Sequence, residues 1–208
     1  MHMVRRKSGR RVERTRQRLL ESLFALIVER SYEKVTVRDI LDRAEAGRAT
    51  FYAHFRSKED ALRSGLEVMR EMLLKEWKSD AQAAGKRSGQ LGFTLPLFRH
   101  VDRHRRLYAA IVGRESGMIV ERKLRRILAD FVREDLQSRT GRRHQPVSRD
   151  LAVQYVVGAL WTVMTWWLDY RVPLSPEEVD GLFRQLTLRG LDTTMGAGSA
   201  QRPFALPD

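Results

Sequence analysis

Apolar residues along the chain recur every three or four positions, which is the period of an amphipathic helix. Between Glu13 and Arg30, Leu19, Leu20, Leu23, Phe24, Ile27 and Val28 form one stripe. A shorter stripe follows in Val37, Ile40, Leu41 and Ala44, with Thr36 as its cap and Asp39 three residues on. The run Ala44–Gly47 reads as a turn whose geometry Gly47 relieves. Arg48 to His54 predicts a third short helix. Ser57 opens a fourth, with Glu59 and Asp60 in its first turn and Leu62, Leu66, Met69, Leu73 and Trp77 on one face to about Ser79. Asp80 to Phe93 is rich in Gly, Ser and Ala and reads as a loop.

Thr94 to Val112 predicts one helix, with Pro96 in its first turn and Leu97, Val101, Tyr108 and Ile111 facing inward. Gly113 to Gly117 breaks it. Met118 to Ser138 repeats the pattern with Val120, Leu124, Ile127, Leu128, Phe131 and Leu136, and Thr140 to Val147 is a polar loop. Ser148 caps a helix to about Tyr170 that is apolar nearly all round, and Pro173 marks its end. Ser175-Pro176-Glu177-Glu178 is a strong helix start. Val179, Leu182, Phe183 and Leu186 follow, and Gly190 is a plausible stop. Residues 1–12 and 191–208 carry no apolar period and read as a disordered basic arm and a flexible tail. No stretch alternates as strands do, so the chain reads as all-α.

Charge adds a partner to this picture. The 208 residues carry a net charge of +13 and a pI near 10.8. A balance this basic points to a polyanion, nucleic acid first. With no cysteine, disulfides, thiol catalysis and Cys-ligated zinc are excluded. The basic N-terminus lacks an apolar signal region, so a cytoplasmic protein is expected. Leu151 to Leu168 is at the short limit for a membrane span, and Gln154, Thr162 and Thr165 interrupt it. A buried helix, with no membrane partner, is the reading taken.

Val35 to Phe55, VTVRDILDRAEAGRATFYAHF, is two short helices joined by a tight turn. Such a pair places its second helix in the DNA major groove. The first helix with its Tyr32, the run Val35-Thr36-Val37-Arg38-Asp39-Ile40, the run Thr50-Phe51-Tyr52-Ala53-His54-Phe55 and then Ser57-Lys58-Glu59 resemble the DNA-binding domain of TetR-family transcriptional regulators. The resemblance covers about a quarter of the chain. It departs at the turn, where the family commonly has Gly, an aliphatic and Ser or Asn and this chain has Glu45, Ala46 and Gly47.

The resemblance implies a basic arm at 1–12, a helix-turn-helix domain at 13–56, a helical effector-binding and dimerisation bundle at 57–190 and a tail at 191–208. Residues at the start of a recognition helix meet base edges, which nominates Arg48, Ala49 and Thr50, with Arg38 from the preceding helix. Arg48 can read guanine through its bidentate fork. Thr36, Tyr52, His54 and Lys58 match family positions that usually touch phosphates. Phe51 and Phe55 are expected in the core.

For the body, the resemblance implies a homodimer through the last two long helices. The helix after Ser148 agrees, because a helix apolar on several faces needs more cover than one domain supplies. Trp77, Phe98, Tyr108, Met118, Trp161, Met164, Thr165 and Trp167 are candidate lining for an apolar effector. The same residues also suit an ordinary core. His100 and His104 have metal-ligand spacing, but Arg99 to Arg106 is densely basic, so a solvated polar face is expected and no metal or cofactor. The leading reading is a repressor released from a palindromic operator by a small molecule. A DNA-binding regulator without a ligand is the alternative. No catalytic motif supports an enzyme.

Overall fold

The computed structural model describes residues 2–84, 90–112, 118–139, 148–170 and 172–196. Among them are nine α-helices and no strand. They are α1 (His2–Glu29), α2 (Val37–Ala44), α3 (Arg48–His54), α4 (Lys58–Ala84), α5 (Thr94–Arg103), α6 (Arg105–Val112), α7 (Met118–Arg139), α8 (Arg149–Asp169) and α9 (Pro176–Gly196). The all-α architecture expected from the apolar period is the one observed. The loops expected at 113–117 and 140–147, the centre of the loop expected at 80–93 and the tail beyond 196 lie outside the described residues.

Several boundaries move. Residues 2–12, expected as an arm without structure, continue α1. They hold Arg, Lys and Met, good helix formers, and no proline, so a helix anchored by its packed stripe propagates backwards through them. The helix α4 passes Ser79 and runs to Ala84. One predicted helix at 94–112 is two, because the chain leaves helical geometry at His104 (φ −121°, ψ 31°). The helix α9 runs through Gly190, whose cost of about 1 kcal/mol in a helix interior does not by itself end one.

The head is α1, α2 and α3. Leu19, Leu20, Leu23, Leu26 and Ile27 of α1 are buried against Ile40, Leu41 and Ala44 of α2 and Phe51 of α3. Burying each such side chain contributes about 1.5–3 kcal/mol before entropy is counted. A full capping box starts α2. The Asp39 N–H donates to Thr36 Oγ1 (3.2 Å), and the Thr36 N–H donates back to Asp39 Oδ2 (2.8 Å). Those bonds, then the nearby Arg30, hold the Asp39 carboxyl below its usual range. The turn after α2 corrects the sequence reading. The positive φ falls on Glu45 (φ 48°, ψ 48°), while Gly47 sits at φ −80°, ψ 160° as the N-cap of α3. Glutamate therefore occupies the left-handed position that glycine fills without strain.

The body packs α5 against α9, α7 against α8 and α8 against α9. The second capping box is formed as expected: Glu178 N–H donates to Ser175 Oγ (3.2 Å) and Ser175 N–H to Glu178 Oε2 (2.8 Å). The helix α8 has the length and hydropathy of a span, but half of its most apolar window is buried inside the protein, against α6, α7 and α9. Head and body meet where α1 touches α4 and α6. At Gly65 of α4 a Cβ would lie 2.5 Å from the Phe24 ring of α1, so the two helices cross there at close range.

Candidate nucleic-acid interface and effector cavity

The start of α3 carries an exposed polar face. Arg48 and Ala49 are exposed and Thr50 is half-buried. Tyr52 is 58% exposed, with its ring edge-on to Phe51 at 5.5 Å. Arg38 on α2 is exposed and only loosely paired with Asp42, at 3.8 Å. Beneath them Phe51 and Phe55 are fully buried, as expected for packing residues. The guanidinium of Arg48 is held at a helix N-terminus by a short, rigid helix, which suits reading a base edge or a phosphate.

Three predicted phosphate anchors sit differently from Tyr52. The Thr36 hydroxyl donates to Asp39 Oδ2 (2.7 Å) and accepts from the Asp39 N–H, so it is engaged in the cap. His54 is half-buried beside Phe55. Lys58 is turned inward: its ammonium donates to the carbonyls of Tyr32 (2.9 Å) and Val35 (2.7 Å) and lies 4.2 Å from the centre of the Tyr32 ring. Two of its three donors thus bind the link between α1 and α2 to the start of α4. In this structure Lys58 is a clamp inside the head.

The body was expected to hold its cavity among its own helices. Instead the large cavity, about 870 Å³, lies between head and body. Leu20, Phe24, Ala25 and Val28 of α1 form one wall. Gly65, Leu66, Val68, Met69 and Met72 of α4 form another, and His100, Arg103 to Tyr108 and Ile111 close it with Leu124 of α7. Of the eight predicted lining residues only Tyr108 is among these. The sequence reading assigned α1 wholly to the head, so its contribution was missed.

The other candidates are accounted for by packing. Trp161 and Met164 bound a cleft of about 10 Å³ that the side chains already fill. Phe98 and Trp167 are fully buried edge to face, and the Trp167 Nε1–H donates to the Leu174 carbonyl. Trp77 packs edge-on against Phe93 and Phe131. The Thr165 hydroxyl donates back to the Trp161 carbonyl. Met118 is 78% exposed and lines nothing.

His100 overturns a further expectation. It was placed on a solvated face but is buried, stacked at 4.6 Å on His104 and edge-on to Tyr108 at 5.6 Å. Burial, then the neighbouring His104 and Arg103, push its pKa down to about 4. The signal for it was present as a run of rings four residues apart, His100, His104 and Tyr108. Among the described residues no three His, Asp or Glu side chains gather as a metal site would require.

Comparison with known proteins places this geometry. Residues 19–64 match the family described as bacterial regulatory proteins, tetR family, and residues 91–189 match a transcriptional regulator C-terminal region. The chain is 23% identical over 193 residues to the HTH-type transcriptional repressor KstR2 of Mycolicibacterium smegmatis, covering 87% of this chain and 92% of that protein. A TetR transcriptional regulator from Streptococcus agalactiae shares the fold with TM-score 0.64 at 21% identity, over 86% of this chain and 97% of that one. FadR from Bacillus subtilis, solved in complex with stearoyl-CoA, shares it with TM-score 0.62 at 18% identity, over 84% and 98%. The chain belongs to the TetR family of DNA-binding, helix-turn-helix transcriptional regulators.

Proposed function

We propose that this regulator is a repressor, and that an apolar small molecule entering the cavity between α1, α4 and α6 releases it from a palindromic operator. The observation that carries the reading is the shared wall. One side of the cavity is α1, the helix that supports α2 and α3, so an occupant contacts the DNA-binding head directly. A ligand shifts a two-state equilibrium only through differential contacts, and a wall that moves with the head supplies them. The stearoyl-CoA bound by Bacillus subtilis FadR, an apolar chain on a polar head, is in keeping with an apolar-bodied effector. Base reading is assigned to Arg48, Ala49, Thr50 and Arg38, and phosphate contact to Tyr52 and His54. Thr36 and Lys58 act by holding the head's geometry. The protein works where the DNA is, in the cytoplasm, and without catalysis.

The homodimer forms through α8 and α9. Leu151, Tyr155 and Tyr170 of α8 and Leu182 and Leu186 of α9 are large, apolar or aromatic, and exposed in the single chain. A Cβ on Gly158 or Gly181 would meet nothing within 4 Å, so both leave room for a close partner. Two-fold symmetry then spaces the recognition helices about 34 Å apart or somewhat more. Leu186→Glu should shift the dimer to monomer in sedimentation velocity and weaken operator binding with it.

The experiment is operator binding by the full chain, measured by fluorescence anisotropy with and without a panel of apolar metabolites, alongside Ala25→Trp. Ala25 is an exposed residue on the cavity wall, so tryptophan fills the space without entering the core. The expected result is release by at least one metabolite in the wild type and none in the variant. Release that persists in Ala25→Trp overturns the cavity. Operator binding that no metabolite changes favours the regulator without a ligand.

A further inference from the structure

Two polar groups inside the cavity lack the partners their burial calls for. His100 is 6% exposed, and its Nδ1, sealed from solvent, makes no hydrogen bond. Tyr108, 3% exposed, donates its hydroxyl only to Met69 Sδ at 3.0 Å. A thioether is a weak acceptor. An unmade hydrogen bond on a buried polar atom is costly, so such groups mark a ligand position when they line a cavity. Both residues line this one, with ring centres 5.6 Å apart.

The charged groups around the cavity are largely taken. Arg103 is held by both carboxylate oxygens of Glu76, at 3.0 and 3.2 Å. Arg105 is held by Asp102 (3.0 Å) and the Trp167 carbonyl (3.2 Å), with the Trp167 ring 4.5 Å away. Glu29 is held by Arg43, and Glu21 accepts from Gln17. The polar capacity left in the interior is therefore uncharged. The phenol keeps its proton, because burial raises its pKa, and the His100 ring is neutral at pH 7. With its proton on Nε2, a neutral imidazole offers Nδ1 as an acceptor.

We propose that His100 and Tyr108 form the recognition pair for an uncharged hydroxyl on a largely apolar effector, the Tyr108 O–H donating to the ligand oxygen and the ligand O–H donating to His100 Nδ1. The proposal rests on the reading of this cavity as the effector site. Leu66, Met69 and Ile111 then cover the apolar body of the ligand. A carboxylate cannot replace the hydroxyl, because it has no proton to offer Nδ1. An ether satisfies Tyr108 alone.

The test is isothermal titration of the full chain with 1-decanol, decyl methyl ether and decanoate. Wild type should bind the alcohol about tenfold more tightly than the ether or the carboxylate, the scale of one buried hydrogen bond. Tyr108→Phe should weaken alcohol and ether alike. His100→Leu should remove the preference for alcohol over ether. The alcohol-to-ether ratio in wild type needs no variant, so a misfolded substitution leaves the test intact. Equal binding of alcohol and ether, tighter binding of decanoate, or a preference that survives His100→Leu overturns the proposal. If the probes bind without that preference and Ala25→Trp blocks them, only the hydroxyl assignment falls. If none binds the wild type, both it and the cavity reading fall.

Discussion

In the head, the side chains assigned to DNA stand on the outside of α2 and α3, while the apolar residues beneath them are packed without a large void. In the body, the outside is ion-paired and the chemistry faces inward, toward a cavity of about 870 Å³. Both regions bury an apolar stripe on each helix. They differ in how far apart in sequence their functional groups lie. The exposed face of the head comes from residues 38–54, one continuous run. The cavity takes residues from α1, α4, α5, α6 and α7. A local motif can be read along the chain, whereas a cavity exists only where separate helices fail to touch.

The largest effect should test whether the two regions are energetically separate. Phe51→Ala removes a fully buried ring from α3 and should cost about 3–5 kcal/mol. Urea unfolding should show that loss, with operator binding abolished and probe binding to the cavity kept. Loss of both functions together would show one cooperative unit.

Next comes a pH effect specific to the body. His100 has a pKa of about 4 when folded, against 6.5 for an ordinary histidine. The unfolded chain therefore takes up a proton first as the pH falls. The neutral, buried ring contributes fully above pH 6.5, and its contribution falls away between 6.5 and about 4. The loss should reach about 3 kcal/mol. Comparing urea midpoints of wild type and His100→Leu from pH 7 to pH 4 isolates it. Parallel curves would show that the ring is not held neutral.

Two smaller effects return to the head. Arg48→Ala should relax base preference at one operator position by about 1–3 kcal/mol. A panel of operator variants measures this, and a uniform weakening would instead assign Arg48 to phosphate. Glu45→Gly should stabilise the protein by about 1 kcal/mol, since it relieves a left-handed glutamate at little other cost. The gain should appear as a raised thermal midpoint with cavity binding unchanged. No gain would mean that the turn relaxes around glutamate.

Much of the architecture was legible because it depends on near neighbours in sequence. Thr36 with Asp39 and Ser175 with Glu178 predicted two helix starts, and both boxes are closed. Helix ends were less legible: α4 outlasts Ser79 and α9 passes Gly190, because packing and propagation override a single weak stop signal. In the site, Phe51 and Phe55 were correctly read as core. Lys58 was not, since its partners are backbone carbonyls 26 and 23 residues away, which no side-chain pattern encodes.

The sequence by itself determined the class of this protein. The three- and four-residue apolar period requires helices, and the run from Thr36 to Glu59 carries the family's DNA-binding motif. Only the tertiary structure decided where an effector could bind. Trp161, Met164 and Trp167 looked like a pocket and are packed full, while His100 looked solvated and is buried beside Tyr108. Periodicity states which side of a helix turns inward. Whether that side meets another helix, a proton donor or empty space depends on how helices cross, and crossings such as Phe24 against Gly65 are set in three dimensions.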